Sequence, residues 1–141
     1  MLIRYLDSSV AIHYTSGHSP AAVKWINNDF KKGAIYFSSQ LLRTEMVRTY
    51  LRLGDDLEDV TRFIRGIILL DLDNDLASEA AAIKPIVKTL DALHLASALR
   101  LSDFGPVTVV THDAQMAQAA QQLGLAAYDP VTDDQNRTPV A

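Results

Sequence analysis

The 141-residue chain contains no cysteine. Disulfide staples and thiolate metal sites are thereby excluded, and carboxylate and histidine are left as the side chains able to do metal chemistry. Also missing is any run approaching the ~18 apolar residues of a membrane span. The first apolar stretch, MLIRYLDSSV, is broken by Arg4 and Asp7, so it reads as neither a signal peptide nor a span, and the expected location is cytoplasmic with no membrane partner. Basic surplus is absent too. The formal net charge is −4, whereas general nucleic-acid binders are usually basic. Arg43, Arg48, Arg52, Arg62 and Arg65 nonetheless fall in one short stretch, which suits either a solvated helix surface or a face turned toward a phosphate backbone.

What is present is an ordinary globular composition, 48% hydrophobic and 21% charged, on a length that makes one domain with its own core. Residues 2–6 read as a short strand ending at Asp7-Ser8-Ser9, where hydroxyls can cap a following helix. Ser19 before Pro20 opens a helix, in which Ala22, Val23, Ile26 and Phe30 recur at helical spacing until Gly33. Residues 34–37 read as a second strand, and Ser38 or Ser39 caps a helix that Gly54 ends. Asp55 with Glu58 is expected to form a capping box for a helix through Arg65.

IILLDL (67–72) reads as a buried strand, followed by an Ala-rich helix from Asp75 that Pro85 closes. A further helix follows Thr89, which would place Asp91 at its second helical position. The β-branched run VTVVT (107–111) leads to Asp113, then to a helix ended by Gly124 and a last strand at 125–128. Residues 129–141 form a polar tail expected to fray. Alternating strands and helices over residues 1–128 imply a three-layer α/β/α domain around a mostly parallel sheet. Ligands of such folds sit outside the carboxyl ends of the strands.

Four acids stand where neighbouring residues predict burial. In KTLDALHLASALRL (88–101), Asp91 shares a helix face with Leu95 and Ala98, where an unpaired carboxylate is expensive. Asp7 and Asp113 each follow a strand. Glu45 lies inside a helix among Leu41, Leu42 and Met46. Each has a plain structural reading: a cap at Asp7, a helix-dipole complement at Asp91 and Asp113, an ion pair with Arg43 or Arg48 at Glu45. If the four converge, their repulsion opposes folding and a hard cation such as Mg²⁺ or Mn²⁺ offsets it. Phosphoryl transfer is the chemistry such a site serves. A receiver-like or phosphatase-like domain is a competing reading, but it wants a Lys after a late strand, and no Lys occurs after position 88. His94 and His112 lie near Asp91 and Asp113; for His94 a supporting contact is favoured over ligation. His13 and His18 have no visible partner in the sequence.

The segments YLDSSVAI (5–12), SSQLLRTEMVR (38–48), TLDALHLASAL (89–99) and VVTHDAQMAQAAQQLGL (109–125) resemble, in order and spacing, the four motif regions of PIN-domain nucleases, above all VapC-like toxins. The resemblance runs from residue 1 to 128. It implies a five-stranded parallel sheet, an endoribonuclease dependent on Mg²⁺ or Mn²⁺, a homodimer, and inhibition by a cognate antitoxin protein. It implies that Asp7, Glu45, Asp91 and Asp113 are the catalytic, metal-holding acids. Thr111, Ser8 and Ser9 would be hydroxyls that orient carboxylates or water, although Ser9 stands where many relatives carry Asn. An antitoxin segment is expected in a groove between the helices at 20–31 and 39–65, with Trp25, Leu51 and Phe63 as lining candidates. A PIN-like interaction module that has lost cleavage is the non-enzymatic alternative, and the intact quartet argues against it.

Overall fold

The computed structural model of the chain describes residues 1–133. In order, the elements are β1 (Ile3–Leu6), α1 (Ser8–Ser16), α2 (Pro20–Lys31), β2 (Ile35–Ser39), α3 (Gln40–Leu53), α4 (Leu57–Ile64), β3 (Ile68–Leu70), α5 (Asn74–Ala82), α6 (Thr89–Leu101), β4 (Val107–Val110), α7 (Ala114–Gln122) and β5 (Ala126–Tyr128). Local chemistry sets most of their ends. Ser19 is extended and its hydroxyl accepts from the Ala22 N–H at 3.2 Å, with Pro20 at the first helical position. Gly54 ends α3 at φ 71°, a left-handed conformation that lacks the Cβ clash other residues would meet.

Three sequence expectations are corrected. The cap of α4 is Asp56, whose carboxylate accepts from Glu58 N–H at 2.9 Å, and not Asp55. Asp55 is still engaged by the preceding helix, because its N–H closes back on the Tyr50 carbonyl at 3.0 Å. In α6 the capping position belongs to Lys88, which makes no side-chain cap bond, so Thr89 is the first helical residue and Asp91 the third. Finally, β3 is three residues long and not a buried strand: Ile68 is 49% exposed. An apolar run marks a strand without saying how many neighbours it has, and β3 is an edge.

The sheet order is β3-β2-β1-β4-β5, and all four pairings are parallel. This is the expected three-layer arrangement with β1 at the centre. Pleating divides β1 between two cores. Ile3 and Tyr5 pack with Val107, Val109, Leu95 and Met116 against α6 and α7. Leu6 faces the other way with Val10, Ile26, Tyr36, Met46 and Val110, against α1 to α4. Each such side chain removed from water contributes about 1.5–3 kcal/mol.

Arg4 also points into the α1–α4 layer, and it is 3% exposed. Its guanidinium grips Asp29 of α2 through Nε at 2.7 Å and Nη2 at 3.0 Å, and Nη1 donates to Thr108 Oγ1 at 3.2 Å. The Tyr36 hydroxyl donates to Asp29 at 2.8 Å. Burial and the Asp29 charge together hold that phenol's pKa well above its ordinary range. A charge pair this deep is tolerable only because both partners are fully engaged.

Beyond β5, residues 129–133 form a closed turn: Asp133 N–H donates to the Asp129 carbonyl at 2.9 Å, and Asp129 N–H to the Asp133 carboxylate at 3.0 Å. The rest of the expected tail, 134–141, lies outside the described residues. Among those residues no helix is long and apolar enough to cross a membrane.

Candidate active site

Parallel pairing brings the ends of β1 and β4 together. Leu6 lies opposite Val110, so Asp7 and Thr111 leave the sheet side by side. Asp7 caps α1, its Oδ1 accepting from Ser8 N–H at 2.9 Å. Its Oδ2 accepts two hydroxyls, from Ser9 at 2.9 Å and from Thr111 at 2.7 Å. Those hydroxyls are themselves anchored: Ser9 Oγ accepts from His112 N–H at 3.2 Å, and Thr111 Oγ1 from Asp113 N–H at 3.0 Å. Asp113 in turn caps α7, accepting from Gln115 N–H at 2.9 Å and Met116 N–H at 3.3 Å. It borders a cleft of about 520 Å³ shared with Thr111, His112, Gln118 and Asp129.

Glu45 does not pair with Arg43 or Arg48, which are exposed. Its Oε2 accepts from the Ser8 hydroxyl at 3.2 Å, and its Oε1 lies 2.7 Å from His94 Nε2. His94 is buried in α6, with Nδ1 2.7 Å from the Tyr5 hydroxyl. Asp91 precedes His94 by about one helical turn. Its carboxyl is pushed above the usual range by burial first, then by Asp7 and Asp113, with Glu45 adding and His94 opposing. The charges of Asp7, Asp113 and Glu45 therefore all bear on Asp91, and Ser8, Ser9 and Thr111 donate to Asp7 or Glu45.

Among the described residues, no group of three or more His, Asp or Glu side chains stands arranged to hold a metal ion. The donor chemistry nevertheless fits a hard divalent cation. The donors are carboxylates with no thiolate present, and the proton affinity of Asp91 is raised by burial first and by the neighbouring negative charges after it. A cation there would relieve repulsion that the protein alone leaves standing.

Several neighbours escaped the sequence. Tyr5 gave no sign of its partner, because the contact spans 89 positions. Asp129, at the start of the supposed tail, holds His112 Nδ1 at 2.8 Å. Burial raises the Asp129 pKa, but the bonds from His112 and from Val131 N–H outweigh it and the net direction is downward. His13 and His18 do have partners: the His13 ring lies 5.1 Å from His18 and 5.0 Å from His112. Burial, then those two rings, lower the His13 pKa, while Asp129 raises it.

A parallel five-stranded sheet with acids gathered where β1 and β4 end defines a recognisable class of domain. The PIN domain family profile matches residues 4–122, and the chain belongs to that family. Among curated proteins it is similar to Ribonuclease VapC46 of Mycobacterium tuberculosis, strain H37Rv, with 33% identity over 131 residues, covering 89% of this chain and 96% of that protein. Solved structures share its fold, two of them as follows. One is VapBC2 from Rickettsia felis bound to a DNA fragment from its promoter, with a TM-score of 0.70 at 12% identity over 91% of this chain and 98% of that one. The other is FitAB bound to the IR36 DNA fragment, with a TM-score of 0.64 at 18% identity over 90% and 94% of the two chains.

Proposed function

We propose that this chain is a divalent-metal-dependent endoribonuclease and the toxin of a bacterial toxin-antitoxin pair. The observation that carries this reading is the bonded cluster at the carboxyl edge of the sheet, where Thr111 links Asp7 to the Asp113 backbone and Ser8, next to Asp7, reaches Glu45. A relative covering nearly the same length is named a ribonuclease, which supports it. Asp7, Glu45, Asp91 and Asp113 are the residues that would hold Mg²⁺ or Mn²⁺. When bound, such a cation supplies a more acidic water and neutralises charge at the scissile phosphate.

The reaction is hydrolysis of a phosphodiester: a water oxygen bonds to phosphorus as one P–O bond to the neighbouring nucleotide breaks. In this reading the chain's own side chains orient the acids. Ser9 and Thr111 fix Asp7, and Ser8 holds one oxygen of Glu45. Arg43 and Arg48, exposed on the same helix as Glu45, are proposed to meet phosphates of a single-stranded RNA; phosphate contacts position the substrate without reading its sequence.

The proposed seat for an antitoxin segment is a cavity of about 540 Å³ between α1, α2 and α4, lined by Tyr14, Val23, Phe30, Arg62 and Phe63. Of the three residues expected there, only Phe63 lines it. Trp25 is buried and stacks on Tyr128 with ring centroids 4.6 Å apart, and Leu51 is exposed outside the cavity. An apolar wall edged by the Arg62–Asp59 ion pair suits the apolar face of an amphipathic segment. Both solved neighbours are named as two-component assemblies, VapBC2 and FitAB. A homodimer acting in the cytoplasm completes the proposal.

The test is incubation of the purified protein with total RNA and Mn²⁺, alongside Asp7→Asn and a chelated control. Cleavage that requires metal and disappears in Asp7→Asn is expected. Cleavage that survives chelation or the Asp7→Asn change would overturn the reading.

A further inference from the structure

We propose that His94, with its tautomer set by Tyr5, is a positioning residue that aims the Glu45 carboxylate at the other acids. The inference rests on the reading of Glu45 as one of the metal-holding groups. Glu45 lies well inside α3, where nothing on its own helix bonds its carboxylate. An ionised carboxylate can only accept, so His94 Nε2 must carry a hydrogen across the 2.7 Å contact. A neutral imidazole has one ring hydrogen. With Nε2 protonated, Nδ1 presents a lone pair, and the Tyr5 hydroxyl stands 2.7 Å away to fill it.

Tyr5 is suited to that task because its phenol carries a hydrogen to donate and stands within hydrogen-bond reach of Nδ1. Remove the hydroxyl and the ring can place its hydrogen on Nδ1 instead, which turns a lone pair toward a carboxylate. Tyr5 thus selects the tautomer that donates to Glu45, as a supporting partner selects the tautomer of a ligating histidine.

Burial makes the relay stiff. Tyr5 and His94 are each 1% exposed, and their rings meet edge to face at 5.7 Å, so neither can swing away without opening the core. The other Glu45 oxygen is held by Ser8 at 3.2 Å, which tethers both ends of the carboxylate. Tyr5 sits two residues before Asp7 on β1, and His94 sits three residues after Asp91 on α6. The relay therefore registers Glu45 against the two elements that carry two of its fellow acids.

A purely structural histidine would have the same burial, so the test must separate the two nitrogens. In His94→Gln the amide nitrogen reaches the Nε2 position and can still donate to Glu45. In His94→Asn the amide stops near the Nδ1 position and can meet Tyr5 only. The readouts are Mn²⁺ binding by calorimetry without RNA, and kcat and KM on a fluorogenic single-stranded oligoribonucleotide. His94→Asn is expected to weaken Mn²⁺ binding and lower kcat by roughly 10–100-fold, with KM little changed, and His94→Gln to recover most of both. Tyr5→Phe, which keeps the buried ring and removes only the hydroxyl, should move both readouts in the direction of His94→Asn, and it decides alone if the His94 variants do not fold.

Equal behaviour of Gln and Asn, or losses that follow melting temperature alone, would overturn the inference, as would an unchanged Tyr5→Phe. Glu45→Gln separates the underlying reading. If it leaves Mn²⁺ binding and cleavage intact, Glu45 does not hold metal and the reading itself fails. If it abolishes both while the His94 and Tyr5 variants behave as wild type, only the positioning role falls.

Discussion

The hydroxyl of Thr111 donates to Asp7 Oδ2 at 2.7 Å across 104 positions of sequence. Thr111 Oγ1 itself accepts from the Asp113 N–H at 3.0 Å, so one side chain ties the first of the four candidate acids to the last. Thr111→Val preserves shape and removes the hydroxyl. It is expected to lower the metal-dependent cleavage rate by roughly 10–100-fold, with Thr111→Ser retaining most activity. Rates on a labelled RNA decide; equal rates for Val and Ser would show that the hydroxyl does not orient Asp7.

The raised proton affinity of Asp91 makes a pH prediction with a definite sign. The folded state binds this proton more tightly than the unfolded chain, whose value is about 3.9. The favourable contribution is therefore complete below that value and is lost as pH rises through the raised folded one. At neutral pH without metal the ionised carboxylate is a net cost. Asp91→Asn in a chelating buffer should melt higher than wild type at pH 7, with the gap closing as the buffer is acidified. A lower melting temperature at pH 7 would mark Asp91 as a structural carboxylate.

Metal should stabilise the folded chain by mass action. At about 100 times its Kd, Mn²⁺ would add about 2.7 kcal/mol, visible as a rise in melting temperature for wild type. Asp7→Asn should lose the rise, because an amide replaces one of the proposed donors. An identical rise in both proteins would place the cation elsewhere.

The buried pair of Arg4 and Asp29 offers a test of stability free of the active site. Asp29→Ala leaves a guanidinium 3% exposed with no countercharge, a change that costs about 3–5 kcal/mol. Replacing both, Arg4→Met with Asp29→Leu, should be milder than Asp29→Ala alone. Urea unfolding of the three proteins checks the order.

Most of the architecture could be read from local chemistry, because caps and strand periodicity are written in adjacent residues. Ser19-Pro20 opens α2 and Gly54 ends α3 as the sequence foretells. Misjudgements arose where the outcome depends on a neighbour the sequence does not name. Asp55 and Asp56 are equal as caps until one knows that the Asp55 N–H is already bonded to Tyr50. IILLDL reads as buried until β3 proves to have β2 on one side only. For the site, acids on apolar faces stood out because burial of charge is costly, and His94 could be placed beside Asp91 by helix geometry. Tyr5 and Asp129 could not, since a strand tyrosine and a post-strand aspartate have many innocent uses and their partners lie far away in the chain.

The central place of β1 has a temporal side. A chain emerges from the ribosome amino end first, and β1 pairs at once with β2 but must wait for β4, which begins at Val107. Until then Asp7 has no Thr111 to orient it and Asp113 has not been made. The gathering of the acids is thus a late event of synthesis, because the strand that brings Thr111 and Asp113 beside Asp7 follows more than a hundred residues behind it.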